Sequence, residues 1–155
     1  MQRAIERAIV IESKKRMREY HRGLHRAARD GDLFEKRTGL PARMPPTSPP
    51  QKWNIHHHFD PRYTYRNAKF LARGIWFSLQ NRTYSPTPAL RSFVPKDDKT
   101  KRPIDIFSIP DAAVASVFFQ RLRDRNAKLF SDASYAYQKE KGPLNGILHL
   151  KRLLG

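Results

Sequence analysis

Five prolines, Pro41, Pro45, Pro46, Pro49 and Pro50, fall within residues 38–52 and divide this chain in two. Proline fixes φ and has no backbone N–H, so such a density excludes both a helix and a central strand. The segment reads as a semi-rigid linker of polyproline character. Its other possible use is as a docking segment for an SH3-like domain. The residues on either side must therefore find their regular structure separately.

Before the prolines, residues 2–29 read as one long helix. Ile5, Ile9, Met17, Tyr20, Leu24 and Ala27 recur at spacings of three, four or their sums. Arg and Lys fill most of its other faces, and Asp30-Gly31-Asp32 reads as its end. After the prolines, Trp53 to His58 looks extended. Asp60-Pro61 then opens a helix, with Asp60 as cap and Pro61 in the first turn. Ala68, Leu71, Ile75 and Leu79, widened by Trp76, form its apolar stripe through about Gln80.

Two short strands follow. Leu90, Phe93 and Val94 lead into a bend of Asp97, Asp98, Lys99 and Thr100, and Ile104, Ile106 and Phe107 lead out. Ser108 and Pro110 open a further helix, with Val114, Val117, Phe118, Leu122 and Leu129 expected inside. Residues 131–142 are irregular, and Pro143 starts a last helix through Leu154. The expected fold class is α+β, mostly helical, with a β-hairpin flanked by helices. Its expected parts are an N-terminal helical extension (1–37), the Pro-rich linker (38–59) and a helix–hairpin–helix subdomain (60–155).

Charge narrows the partner. Lys and Arg number 31 against 14 acids, a net charge of +17 over 155 residues. The excess is spread along the chain, which predicts a long basic surface and a polyanionic partner, nucleic acid first. The absence of cysteine excludes disulfides and thiolate metal sites. No apolar run approaches the roughly 20 residues that span a bilayer, and the N-terminus lacks a signal peptide's apolar stretch. A cytoplasmic protein without membrane contact is the expectation.

The densest chemistry is at the bend. Lys96, Lys99, Lys101 and Arg102 fall within seven positions. A cation-rich hairpin tip of this type can fold over phosphates and place positive charge where negative charge develops.

With its surroundings, this hairpin resembles the fingers of bacterial reverse transcriptases of the group II intron, retron and defence-associated kind. A helix ending in TYSPTPAL is similar to that family's Tyr-x-Pro lead-in. Pro110-Asp111 opens the next helix, and FSDASYAYQKEKGPLNGILHLKRLL resembles the family's Ser-Tyr-Gly-Phe-Arg segment and its following helix. The three blocks stand in the family's order over about residues 60–154. The resemblance departs at Ala112, Ala136, Gln138 and Lys139, where Arg, Gly, Arg and Pro are usual.

The resemblance implies an RNA-directed DNA polymerase that uses Mg2+ and deoxynucleotides on an RNA template with a DNA product. Lys96 and Arg102 match the family's contacts to the triphosphate of the incoming nucleotide. Arg91, Lys99 and Lys101 would assist, Arg121 and Arg125 would hold nucleic-acid backbone, and Tyr135 or Tyr137 would stack on a base or sugar. The family's catalytic aspartates lie in a palm that would follow the last helix, and no Tyr-x-Asp-Asp occurs here. The expectation is a fingers portion, inactive alone, whose partners include the palm and thumb. It should expose an apolar face of Val114, Phe118, Ile147 and Leu150 and therefore be poorly soluble or oligomeric alone.

Other constellations read more plainly. Asp97-Asp98 sits between lysines in a turn and is explained by turn formation. His56 and His58 share a face if extended, but no third ligand at known spacing accompanies them, so no metal ligand set is read and a histidine-metal nuclease ranks last. No Ser-His-Asp set, Walker loop or dinucleotide fingerprint occurs. The alternative to the polymerase reading is a non-catalytic basic RNA- or DNA-binding protein.

Overall fold

The computed structural model describes residues 1–42, 48–96, 100–126 and 142–154. It is mostly helical, with one two-stranded antiparallel hairpin flanked by helices. Two compact units are present, Met1–Val117 and Phe118–Gly155.

Helix α1 (Gln2–Thr38) runs past the expected stop at Asp30-Gly31-Asp32. A helical Gly costs only about 1 kcal/mol relative to Ala, and good helix formers lie on both sides of the Asp-Gly-Asp, with Ala27, Ala28 and Arg29 before it and Leu33, Glu35 and Lys36 after it. The helix ends instead at Gly39, whose φ of 68° suits the left-handed cap, with its N–H donating to the Glu35 carbonyl at 2.8 Å. Lys36 and Arg37 in the last turn complement the helix dipole.

The expected apolar stripe of α1 divides by depth. Ile5, Ile9 and Ser13 are buried, Met17, Tyr20 and Leu24 are half-buried, and Ala27 is exposed. The first third of this helix is therefore core, not an extension. Ile5 and Ile9 pack with Ala68, Leu71 and Ala72 of α4 (Ala68–Gln80) and with Ile109, Ala113, Val114 and Val117 of α5 (Ile109–Asn126). Ala68 and Ala72 let α4 approach α1 closely, and Ile5 and Ile9 fill the space between the two helices.

The segment after the prolines is helical, not extended. Lys52–Ile55 forms a short α2, and His57–Phe59 a single 3-10 turn. Trp53 drives this. It is buried, its ring centroid lies 5.0 Å from that of Tyr20, and the Arg62 guanidinium sits 5.7 Å from the ring. The Tyr20 hydroxyl also donates to the Ser48 carbonyl at 3.3 Å. An aromatic anchor and a tyrosine hydrogen bond thus return the chain to α1.

Asp60 caps α3 (Pro61–Arg66) as expected, accepting from the Arg62 N–H at 2.8 Å. The single helix expected through Gln80 is interrupted at Asn67, whose side-chain amide donates to the Tyr63 carbonyl at 2.9 Å. That local bond competes with helix continuation. Ser13 Oγ and Thr64 Oγ1, both buried, lie 2.9 Å apart and tie α3 to α1.

In α5, Val114 and Val117 are buried as expected, but Phe118 and Leu122 are 40% and 56% exposed. Helix α6 (Pro143–Leu154) has no buried residue. The expectation for Leu129 falls outside the described residues.

Candidate functional site

Strands β1 (Leu90–Pro95) and β2 (Lys101–Ile106) pair antiparallel from Leu90↔Ile106 to Pro95↔Lys101. The Lys96 N–H donates to the Thr100 carbonyl at 2.9 Å and carries the ladder one step into the tip. Pro95 and Pro103 are tolerated because each strand is an edge. Most of the strand residues are exposed; among them only Leu90, Ser92 and Ile106 are half-buried.

Register distributes the cations between two faces. Directly paired residues share a face, and successive residues alternate. Arg102, opposite Val94, lies with Ser92, Ile104 and Leu90. Lys96, two residues after Val94, continues that face. Lys101 lies on the other, with Pro95 and Phe93. Lys96 and Arg102 are therefore brought to one side of the tip, and Lys101 points away from them.

Arg91 has a different setting. It faces Asp105, donating to its two carboxylate oxygens at 3.0 and 3.4 Å. The hydrogen bond holds the Asp105 carboxyl below its usual range and pushes the Arg91 guanidinium up. Its charge is engaged within the hairpin. Lys99, with Asp97 and Asp98, lies outside the described residues, as do Tyr135 and Tyr137.

Near the chain entering the hairpin, Asp111 gathers a polar network that sequence reasoning did not assemble. Ser108 caps α5, accepting from the Asp111 N–H at 3.3 Å, while its hydroxyl donates to Asp111 Oδ2 at 2.6 Å. The same carboxylate accepts from the Thr87 N–H at 3.0 Å and from the Tyr84 hydroxyl. One acid thus joins the start of α5 to the Tyr84–Thr87 lead-in. The signal in sequence was the Ser-x-x-Asp spacing, which marks a helix start but not its distant partners. Burial, then the Asp111 bond, pushes the Tyr84 phenol well above its ordinary value.

His58 Nδ1 lies 3.3 Å from Thr87 Oγ1, at the edge of a cavity of about 330 Å3 that Tyr84, Ser78 and Asp111 also line. Burial, then the neighbouring His57 and His56, lowers the His58 pKa, with Asp111 opposing.

Arg22, His25, Arg26 and Arg29 line a shallow groove of about 330 Å3 on the exposed part of α1. In the second unit, Arg121 and Arg125 are exposed, and Arg123 pairs with Asp124 at 3.0 Å. The sequence reading missed Phe70 and Phe77, which are 74% and 66% exposed beside Arg73 in a groove of about 560 Å3. Their i, i+7 spacing off the apolar stripe was the available signal.

Among the described residues, the one group of three metal-capable side chains is His56, His57 and His58. These are nitrogen donors, whereas Mg2+ takes oxygen ligands. They do not fit the magnesium that the resemblance implies. Also among the described residues, no helix is long and apolar enough to cross a membrane. No family model matches the chain, and no curated protein matches it.

Proposed function

We propose that this chain is the fingers portion of an RNA-directed DNA polymerase of the reverse-transcriptase kind. The observation that supports this best is the exposed hairpin between helices, with Lys96 and Arg102 on one side of its tip. Two cations on one face of an exposed tip suit a triphosphate, and a guanidinium can bind two of its oxygens at once. Lys101, on the opposite face, serves nucleic-acid backbone better than the same triphosphate, and Lys99 is assigned to the tip by sequence only. Arg91, paired with Asp105, stiffens the hairpin more than it attracts phosphate. The Tyr84–Asp111 bond, between two residues of the matching blocks, fixes the start of β1 relative to α5.

In this reading Arg121, Arg125, Tyr135 and Tyr137 contact the RNA template and DNA product, and the setting is cytoplasmic. Mg2+ and the chemical step belong to palm aspartates that this sequence does not contain. Phe118, Ile147 and Leu150 are 40%, 53% and 57% exposed, in keeping with surfaces that a palm would cover. Val114 leaves that expected set, because it is buried in the α1–α4–α5 core.

The test begins with the reading frame after Gly155. A continuation carrying a strand with an Asp, then an aromatic-x-Asp-Asp, supports the proposal. In that polymerase, Lys96→Ala and Arg102→Ala should each raise the KM for dNTP about 10-fold or more, at roughly 1.4 kcal/mol per tenfold. A stop codon with no palm encoded nearby, or unchanged KM values, would sink it.

A second reading is favoured by the exposed basic groove of α1, which needs no palm. There the chain is a non-catalytic RNA- or DNA-binding protein. It should then bind nucleic acid by itself, with no loss on substitution of Lys96 or Arg102 beyond that of any other surface cation.

A further inference from the structure

We propose that His56, His57 and His58 form a binding site for a zinc-class divalent transition metal. As an extended strand, the segment would have turned His57 away from its neighbours. The 3-10 turn at His57–Phe59 brings all three together, with one ligand nitrogen from each within 4.8 Å of the others. The ring centroids of His56 and His57 are 4.1 Å apart, and that of His58 lies 4.6 and 4.5 Å from them. Ligand nitrogens around a tetrahedral zinc lie roughly 3.3 Å apart, given Zn–N bonds of about 2.0–2.1 Å. Small rotations of the rings cover the difference.

The surroundings distinguish this site from a simple histidine tract. His58 Nδ1 lies 3.3 Å from Thr87 Oγ1, a residue 29 positions away. A donor Nδ1–H in that contact leaves Nε2 with its lone pair, the arrangement found behind metal-ligating histidines. Thr87 is itself anchored, since its N–H donates to Asp111 Oδ2 at 3.0 Å. His56 Nδ1 accepts from the His58 N–H at 3.2 Å, so ligation at that nitrogen exchanges one hydrogen bond for a metal bond. Tyr63 packs edge-on to His57, with centroids 4.6 Å apart, and limits the swing of that ring. Three imidazoles without carboxylate or thiolate select zinc, copper or nickel over magnesium or calcium. A bound metal would clasp the 56–58 turn, which Thr87 ties to the lead-in of the hairpin.

The experiment titrates Zn2+ alone into the metal-stripped full chain, using competition with a chelating indicator, and follows the thermal midpoint in parallel. One equivalent should bind, and the midpoint should rise with Zn2+, because the folded chain then binds the ion better than the unfolded one. Thr87→Val, which keeps all three histidines, should weaken binding about 10-fold or more. Thr87→Ser, which keeps the hydroxyl, should restore it. His58→Ala should abolish stoichiometric binding, with circular dichroism in the absence of metal confirming that each variant folds. Binding that leaves the midpoint unchanged would overturn the proposal, as would equal affinity in wild type and Thr87→Val. Either result would leave three adjacent histidines and no built site.

Discussion

Asp111 shows how one side chain can organise a neighbourhood. Its carboxylate accepts from the Tyr84 hydroxyl, the Ser108 hydroxyl and the Thr87 N–H. Hydrogen bonds to a charged acceptor are stronger than neutral ones, and here they join chain segments that are distant in sequence. Tyr84 reports on this arrangement. Its phenol is raised well above 10 by burial and by Asp111, so the folded state holds that proton where the unfolded state releases it. The contribution to stability is therefore complete below pH 10 and is lost as pH rises through the folded value. In a spectrophotometric titration, the tyrosine missing from Tyr84→Phe should be the last to ionise. Urea unfolding between pH 9 and pH 11.5 should show a shallower loss of stability for that variant than for wild type. Ionisation of Tyr84 together with the exposed tyrosines would contradict the network.

At the scale of elements, α1 does two jobs along one helix. Ile5 and Ile9 are fully buried, while residues 25–30 and 32–38 are exposed. Ile9→Ala should cost about 2–5 kcal/mol by denaturant unfolding, because a cavity opens in a core that includes Ala72 and Ala113. Arg22→Ala with Arg26→Ala should change stability by less than about 0.5 kcal/mol per site. A large loss from the arginine pair would mean that the distal half of the helix is structural after all. The hairpin is the converse case. Its strands have little core of their own, and pairing register alone decides that Lys96 and Arg102 share a side while Lys101 does not.

For the whole molecule, a net charge of +17 acts at long range. Self-repulsion opposes compaction, and added salt screens it. The thermal midpoint should rise between 20 and 200 mM NaCl, while affinity for single-stranded RNA falls over the same range. The slope of log K against log salt gives the number of phosphates neutralised, at about 0.7 per contact for single strands. The Arg22/Arg26 double variant should flatten that slope by about 1.4 if the α1 groove carries nucleic acid. An unchanged slope would move the interface elsewhere on the surface.

Much of the element order was legible in sequence, because local chemistry sets it. Asp60-Pro61 starts α3, Ser108 caps α5, and turn-forming residues at 97–100 between two apolar runs mark two strands. These signals lie within a few residues of the structure they specify, and so does the excess of positive charge. The remaining features depend on partners far along the chain. Trp53 folds its segment into a helix because Tyr20 offers a surface to bury it against. Ser13 is buried because Thr64 lies opposite. Thr87 meets His58 and Asp111 only after the helices have packed. Periodicity identified the face of α1 but not the depth to which it sinks, since burial depends on how far α3 and α4 extend along it. The tertiary structure decided where the core ends and which polar groups converge, because the free energy of burial belongs to contacts that no local spacing encodes.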